Sequence, residues 1–193
     1  MDSVQGRPAP TLPFRDTPRH YGRITRLLHW TMALLILWQF LGMGLRLLLG
    51  RDSMAAFFVR LHQPIGTVLF VLIALRIVWA LANRRNRPAH GAGPVGVASR
   101  LGHMALYLLM LIVPGVALLR AWGSERAFAP FGFQIFPARE AAIEWTGTLA
   151  GALHGELAWV MGVLILGHVV MVGVHQAMWR DGTLARMAGR RSS

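Results

Sequence analysis

His154 and His168 stand fourteen residues apart in Gly151–Arg180, a stretch that otherwise reads as a membrane-spanning helix. At about 100° and 1.5 Å per residue, fourteen steps make four turns less roughly 40° and a climb of about 21 Å. On a helix the two imidazoles therefore leave nearly the same face at two depths of a hydrocarbon layer about 30 Å thick. Imidazole is costly in lipid, and titratable groups inside a membrane face a bundle interior, where they mark functional pathways. Two stacked metal or haem sites follow, provided that partner histidines exist at matching depths.

The rest of the composition agrees with a membrane setting. The 193 residues are 54% hydrophobic and 15% charged, with a mean hydropathy of +0.46. That is too apolar for an ordinary soluble domain and long enough for about four spans with loops. The formal charge is +12, carried by 20 basic residues that are all arginine. Such a balance can signal nucleic acid, but here the arginines cluster at the edges of apolar runs, as membrane topology requires; no nucleic-acid partner is expected. The absence of cysteine excludes disulfides, iron–sulfur clusters, thiolate zinc sites and covalent c-type haem attachment. Histidine, with eight copies, is the strongest ligand type left.

The positioning elements are four apolar runs: 27–49, 61–82, 101–119 and 157–178. Each has the length of a transmembrane helix rather than a strand. Pro114 should kink the third, which membrane helices tolerate when neighbours satisfy the backbone. The expected organisation is a disordered tail over 1–22, a helical transmembrane domain over 23–187 and a short tail over 188–193. Arg120–Leu153, rich in aromatics, suits an interfacial segment at the headgroups. The first run is too long for a signal-peptide core and lacks a small-residue cleavage site, so it reads as retained.

With four spans, both termini and the second loop share a face. That face holds Arg7, Arg15, Arg19, Arg23, Arg26, Arg84, Arg85, Arg87, Arg100, Arg180, Arg186, Arg190 and Arg191. The other has Arg46, Arg51, Arg60, Arg120, Arg126 and Arg139, diluted by Asp52, Glu125, Glu140 and Glu144. The positive-inside rule then puts both termini in the cytoplasm.

Depth now pairs the histidines. His29 is in the first turn of span one, at the inner side; His62 opens span two at the outer side; span four runs inward from His154 to His168. The pairing that matches both depths is His62 with His154 outside and His29 with His168 inside. Two histidines filling both axial positions are what a low-spin b-type haem needs, and such an iron shuttles electrons rather than binding dioxygen. The expected fold class is all-α: an integral membrane four-helix bundle binding two b-type haems. A carboxylate-bridged di-metal site is disfavoured because the spans lack acids. Gly66, Gly167 and Gly173 either make room for a flat macrocycle or allow close helix packing. Arg76 repeats the fourteen-residue interval after His62, which places it at the inner level; it either pairs with a haem propionate or snorkels to the interface. His175 and Trp179, two and three turns past His168, could bind a quinone and deliver protons, although Trp179 also suits an interfacial anchor. His103 could serve a propionate or quinone, or be structural, with Tyr107 one turn on. His20 and His90 sit in exposed segments and are not expected to be ligands.

These residues resemble a known family. RITRLLHW before span one, LHQPIG and ALRIVW in span two, LGHMALYLLMLIVPGVAL in span three and LHGELAWVMGVLILGHVVMVGVHQAMWRDGTLARM in span four are similar to the bacterial cytochrome b561 family, over roughly Tyr21–Met187. The resemblance implies a four-helix, dihaem protein of the bacterial inner membrane whose best-defined activity is superoxide oxidase. Superoxide is the donor, ubiquinone the acceptor in the respiratory chain, and dioxygen the product. It places His29, His62, His154 and His168 at the iron-ligand positions, His175 and Trp179 at the quinone site, and Thr31 as a further candidate there. The alternative is a membrane-anchor cytochrome subunit passing electrons between a dehydrogenase or hydrogenase partner protein and quinone.

Overall fold

The computed structural model describes residues 13–50, 52–88, 91 and 93–189. Arg7, Arg51, His90, Arg190 and Arg191, used in the sequence reading, lie outside the described residues. Six α-helices follow in order: α1 (Arg23–Leu49), α2 (Ser53–Arg60), α3 (His62–Ala82), α4 (Gly93–Trp122), α5 (Glu144–Val174) and α6 (Thr183–Ala188). A π turn, His175–Trp179, prolongs α5. Four helical segments are long and apolar enough to cross a membrane: α1, α2 with α3, α4, and α5 with its π turn.

The segments pack so that α1 lies against α2 and α3, α3 against α4, and α4 broadly against α5. Met32, Leu69 and Ile73 are buried where α1 meets α3, with Ile36, Tyr107 and Met110 packed round them. Few other residues are buried. Leu34, Leu37, Leu75, Val78, Val163 and Leu166 are all more than half exposed. In water such a surface would be an association hazard; on helices whose backbone groups are satisfied internally it is the face that lipid covers.

The helices outrun the hydropathy pattern. The fourth begins at Glu144 rather than near residue 157, and the third at Gly93 rather than 101. Thr146 and Thr148 make the first turns of α5 look polar; their hydroxyls donate back to the Ile143 and Glu144 carbonyls at 2.7 and 3.2 Å, which satisfies the hydroxyls within the helix. His154 consequently lies three turns inside α5 instead of at its mouth. The segment between α4 and α5 is compact: Phe128 N–H donates to the Phe136 carbonyl at 2.9 Å and the two rings stack at 5.8 Å. Gly123 closes it, since its carbonyl accepts from Ile143 N–H at 2.9 Å and any Cβ there would collide with Thr146.

The first and last of the described helices meet. Arg26 in α1 donates from Nε to the Met187 carbonyl at 3.0 Å and from Nη2 to the Ala188 carbonyl at 2.8 Å, at the C-terminus of α6. Residues 13–22, assigned above to a disordered tail, are also held in place. Asp16, its side chain fully buried, accepts from Arg87 Nε at 2.9 Å and from Gly22 N–H at 2.8 Å. The Pro- and Arg-rich composition of this stretch hid the one acid that anchors it.

Candidate functional site

The structure brings together the four histidines in the pairs that depth demanded. His62 is the first residue of α3, and its ring centroid lies 6.0 Å from that of His154 on α5. His29 on α1 and His168 on α5 are 6.4 Å apart. Metal–imidazole bonds are about 2.0–2.1 Å, and a ring centroid sits about 1.1 Å behind its nitrogen, so two imidazoles on opposite sides of one metal have centroids about 6.3 Å apart. Both pairs match that span. Among the described residues no three His, Asp or Glu side chains form a metal-holding group. A porphyrin brings four nitrogens of its own, so two axial histidines complete a haem iron.

The pair formed by His62 and His154 borders a cavity of about 950 Å³, lined also by Gly66, Met110, Gly155 and Arg126. A Cβ added at Gly155 meets nothing within 4 Å, and one at Gly66 meets only Gln39 Nε2 at 3.4 Å. Glycine there leaves a flat face beside each histidine. Gly167 and Gly173 likewise have no neighbour within 4 Å of an added Cβ, so neither is there for tight helix packing. His154 Nδ1 lies 2.9 Å from the Val113 carbonyl. A carbonyl only accepts, so the proton is on Nδ1 and Nε2 keeps its lone pair, the tautomer a metal requires. Val113 directly precedes Pro114, the helix-interior proline that disturbs the backbone ladder of α4. Gln39 Nε2 fixes the backbone of His62 by donating to its carbonyl at 2.9 Å.

The pair at the termini end is crowded by polar groups. Arg76 does not snorkel: its Nε donates to Tyr107 Oη at 2.9 Å, and Nη1 and Nη2 each lie 3.3 Å from His29 Nδ1. Guanidinium only donates. Binding a metal through His29 Nε2 would move the proton to Nδ1 and turn Arg76 towards another acceptor. His103 faces the same place, its ring 5.3 Å from that of His168, with Nδ1 donating to the Ser99 carbonyl at 2.7 Å. That separation is about 1 Å too short for a metal between the two rings, which makes His29 the better axial partner.

Beyond His168 the π turn carries His175 and Trp179, whose rings meet edge to face at 4.6 Å. π turns concentrate at functional sites. His175 Nδ1 lies 2.6 Å from Asp181 Oδ2. Burial alone would raise the Asp181 pKa, but hydrogen bonds from Thr183 and His175 outweigh it and hold the carboxyl at about 2. The structure does not bring Thr31 into this group; it is half-buried on α1, two residues from His29. His20 is occupied locally, its carbonyl and N–H both bonded to Thr17. Of the arginines on the face away from the termini, Arg120 and Arg126 line the cavity beside His62 and His154, whereas Arg139 stacks on Trp122 at 4.4 Å and donates to its carbonyl at 2.8 Å.

Sequence reading missed Gln39, the Val113 carbonyl and Asp181. The first two carried no signal, since a lone glutamine and a backbone carbonyl are anonymous. Asp181 had one: Asp-Gly-Thr after an apolar helix is a capping pattern for a further short helix.

Residues 20–190 match the family described as prokaryotic cytochrome b561. The Escherichia coli K12 protein named cytochrome b561 homolog 2 is 32% identical over 184 residues, covering 94% of this chain and 98% of that protein. Cytochrome b561 homolog 1 of the same organism is 27% identical over 170 residues, 85% of this chain and 94% of that one.

Proposed function

Since the chain belongs to the prokaryotic cytochrome b561 family, and so transfers electrons within a membrane with b-type haem, we propose that it binds two haems and works as a superoxide oxidase that reduces ubiquinone. The observation that carries the dihaem reading is the two-depth arrangement. One helix presents His154 and His168 about 21 Å apart along its axis, each facing a histidine from another helix at axial-ligand separation. When bound, haem supplies a one-electron carrier at each depth.

The chain's own residues set the direction. The arginine-rich termini end faces the cytoplasm of a bacterial inner membrane, so the cavity beside His62 and His154 opens towards the outside. Arg120 and Arg126 line it and attract a small anion such as superoxide. At the cytoplasmic end, Arg76 is turned into the bundle, where a haem propionate is the acceptor it can pair with. His103 stands beside His168 with its Nδ1–H given to the Ser99 carbonyl. The ring of Trp179 and the imidazole of His175 offer a quinone head an apolar edge and a proton donor. Overall, two superoxide anions, one quinone and two protons give two dioxygen molecules and one quinol.

Mixing purified haem-loaded protein with superoxide and a ubiquinone analogue tests this. Oxygen release and quinol formation above the uncatalysed rates are expected; neither appearing would overturn the superoxide assignment while leaving the haem sites standing. A second reading has its own observation. Phe131 and Phe133 stack at 5.8 Å on the loop between α4 and α5, 43% and 63% exposed, a pattern that suits docking of a dehydrogenase or hydrogenase partner. Stoichiometric co-purification of a redox protein, lost on Phe133→Ser, would favour it.

A further inference from the structure

The chain does not end where the fourth span does. After the π turn, Arg180 adopts a left-handed backbone with φ of 50°, an uncommon conformation for a residue other than glycine. The reversal carries Asp181 back to His175, and both carboxylate oxygens are engaged: Oδ2 with His175 Nδ1 at 2.6 Å, Oδ1 with the Thr183 N–H at 3.0 Å. Arg186 Nη2 donates to the Asp181 backbone carbonyl at 2.8 Å, and Arg26 and Trp30 of α1 bind the far end of α6 through the Met187 and Ala188 carbonyls. Asp181 thus sits on a strap tied to the same turn of α1 that presents His29.

We propose that Asp181 is a positioning residue for quinone reduction: it holds the His175 ring by Nδ1 and so aims Nε2, the proton-carrying nitrogen, at the quinone oxygen. This rests on reading His175 and Trp179 as the quinone site. A carboxylate accepts and does not donate, so the proton on Nδ1 is fixed and exchange is confined to Nε2. The two electrons come from the chain's own electron transfer. As each quinone O–H bond forms, a proton leaves His175 Nε2 or water, and water at the cytoplasmic end returns it to His175. Asp181 stays ionised throughout.

Two substitutions separate positioning from helix capping. In Asp181→Asn the amide oxygen can keep the Thr183 N–H, but the NH₂ then faces His175 Nδ1 and forces the opposite tautomer. Asp181→Ser can still accept from the Thr183 N–H at the start of α6 but is too short to hold His175. The haem-loaded full-length variants, with His175→Ala as reference, are assayed for quinone reduction with decylubiquinone, and their reduced-minus-oxidised spectra are recorded. Unchanged spectra, a quinone KM within about twofold and a kcat lowered at least about tenfold in both Asp181 variants are expected, as for loss of a tautomer-fixing carboxylate. Wild-type kcat in both, with His175→Ala slow, would overturn the role of Asp181 alone. A raised KM at unchanged kcat would reduce it to a structural cap. An unimpaired His175→Ala would overturn the quinone-site reading itself.

Discussion

Removing one ligand should cost one haem and leave the other untouched. Within each pair the rings are 6.0 or 6.4 Å apart, whereas the pairs are separated by about 21 Å along α5. Effects of substitutions more than about 7–10 Å apart with no shared partner add, while those within one interacting unit do not. His62→Ala should therefore take the haem content from about two per chain to about one, since bis-histidine ligation needs both rings. His154→Ala added to it should change nothing further, because that site is already lost. His29→Ala added to it should bring the content to about zero. Haem per protein, measured as the pyridine haemochrome, gives the count, and the reduced-minus-oxidised spectrum shows whether the surviving haem keeps its low-spin bands. Two results would refute the reasoning: His62→Ala emptying both sites, or His62→Ala with His154→Ala losing more haem than either alone.

Four further outcomes follow from single contacts. Arg76→Leu should weaken the haem at the termini end by about 10–100-fold, the usual cost of losing a group that orients a ligand, with the His62 and His154 site unchanged in a haem titration. Gly155→Leu should push a side chain into the cavity and lower haem occupancy there, whereas Gly44→Leu, on a helix face with nothing within 4 Å of its Cβ, should bind haem as wild type does. Asp16→Ala leaves Arg87 without its only acid and should cost about 3 kcal/mol, the low end for a broken buried pair because Arg87 remains partly exposed; the thermal midpoint in detergent, followed by haem absorbance, reads it. The Asp181 carboxyl is depressed from 3.8 to about 2. Its contribution to docking α6 is thus complete above about pH 4 and is lost as pH falls through about 2. Hydrogen exchange of the α6 amides should be flat from pH 7 to about 4, after correction for intrinsic rates, and should accelerate below that.

What the sequence made legible was what depends on period and depth. Hydrophobic length located the four spans, and the fourteen-residue intervals from His154 to His168 and from His62 to Arg76 placed three histidines and a guanidinium at two levels, because a helix turns sequence distance into height with little freedom. What it hid depends on side chains meeting across the bundle. That Arg76 turns to Tyr107 and His29 rather than to the headgroups is decided by rotamers and neighbours. That Val113 offers its carbonyl to His154 depends on how α4 packs against α5. The start of α5 lies outside the hydropathy pattern because hydropathy measures lipid contact, whereas a helix in an interfacial setting needs only its own backbone hydrogen bonds. The ordering of residues 13–22 rests on Asp16 finding Arg87, a pairing across 71 residues that composition cannot show.

Both histidine pairs borrow one member from α5, the fourth span in chain order among the described residues. Neither site can close before that helix is in the bilayer, however early the other three have inserted. A nascent or truncated chain ending before α5 therefore has single histidines but no axial pair. On the proposed dihaem reading, redox competence then reports that the fourth span has joined the bundle, because α5 supplies one member of each pair.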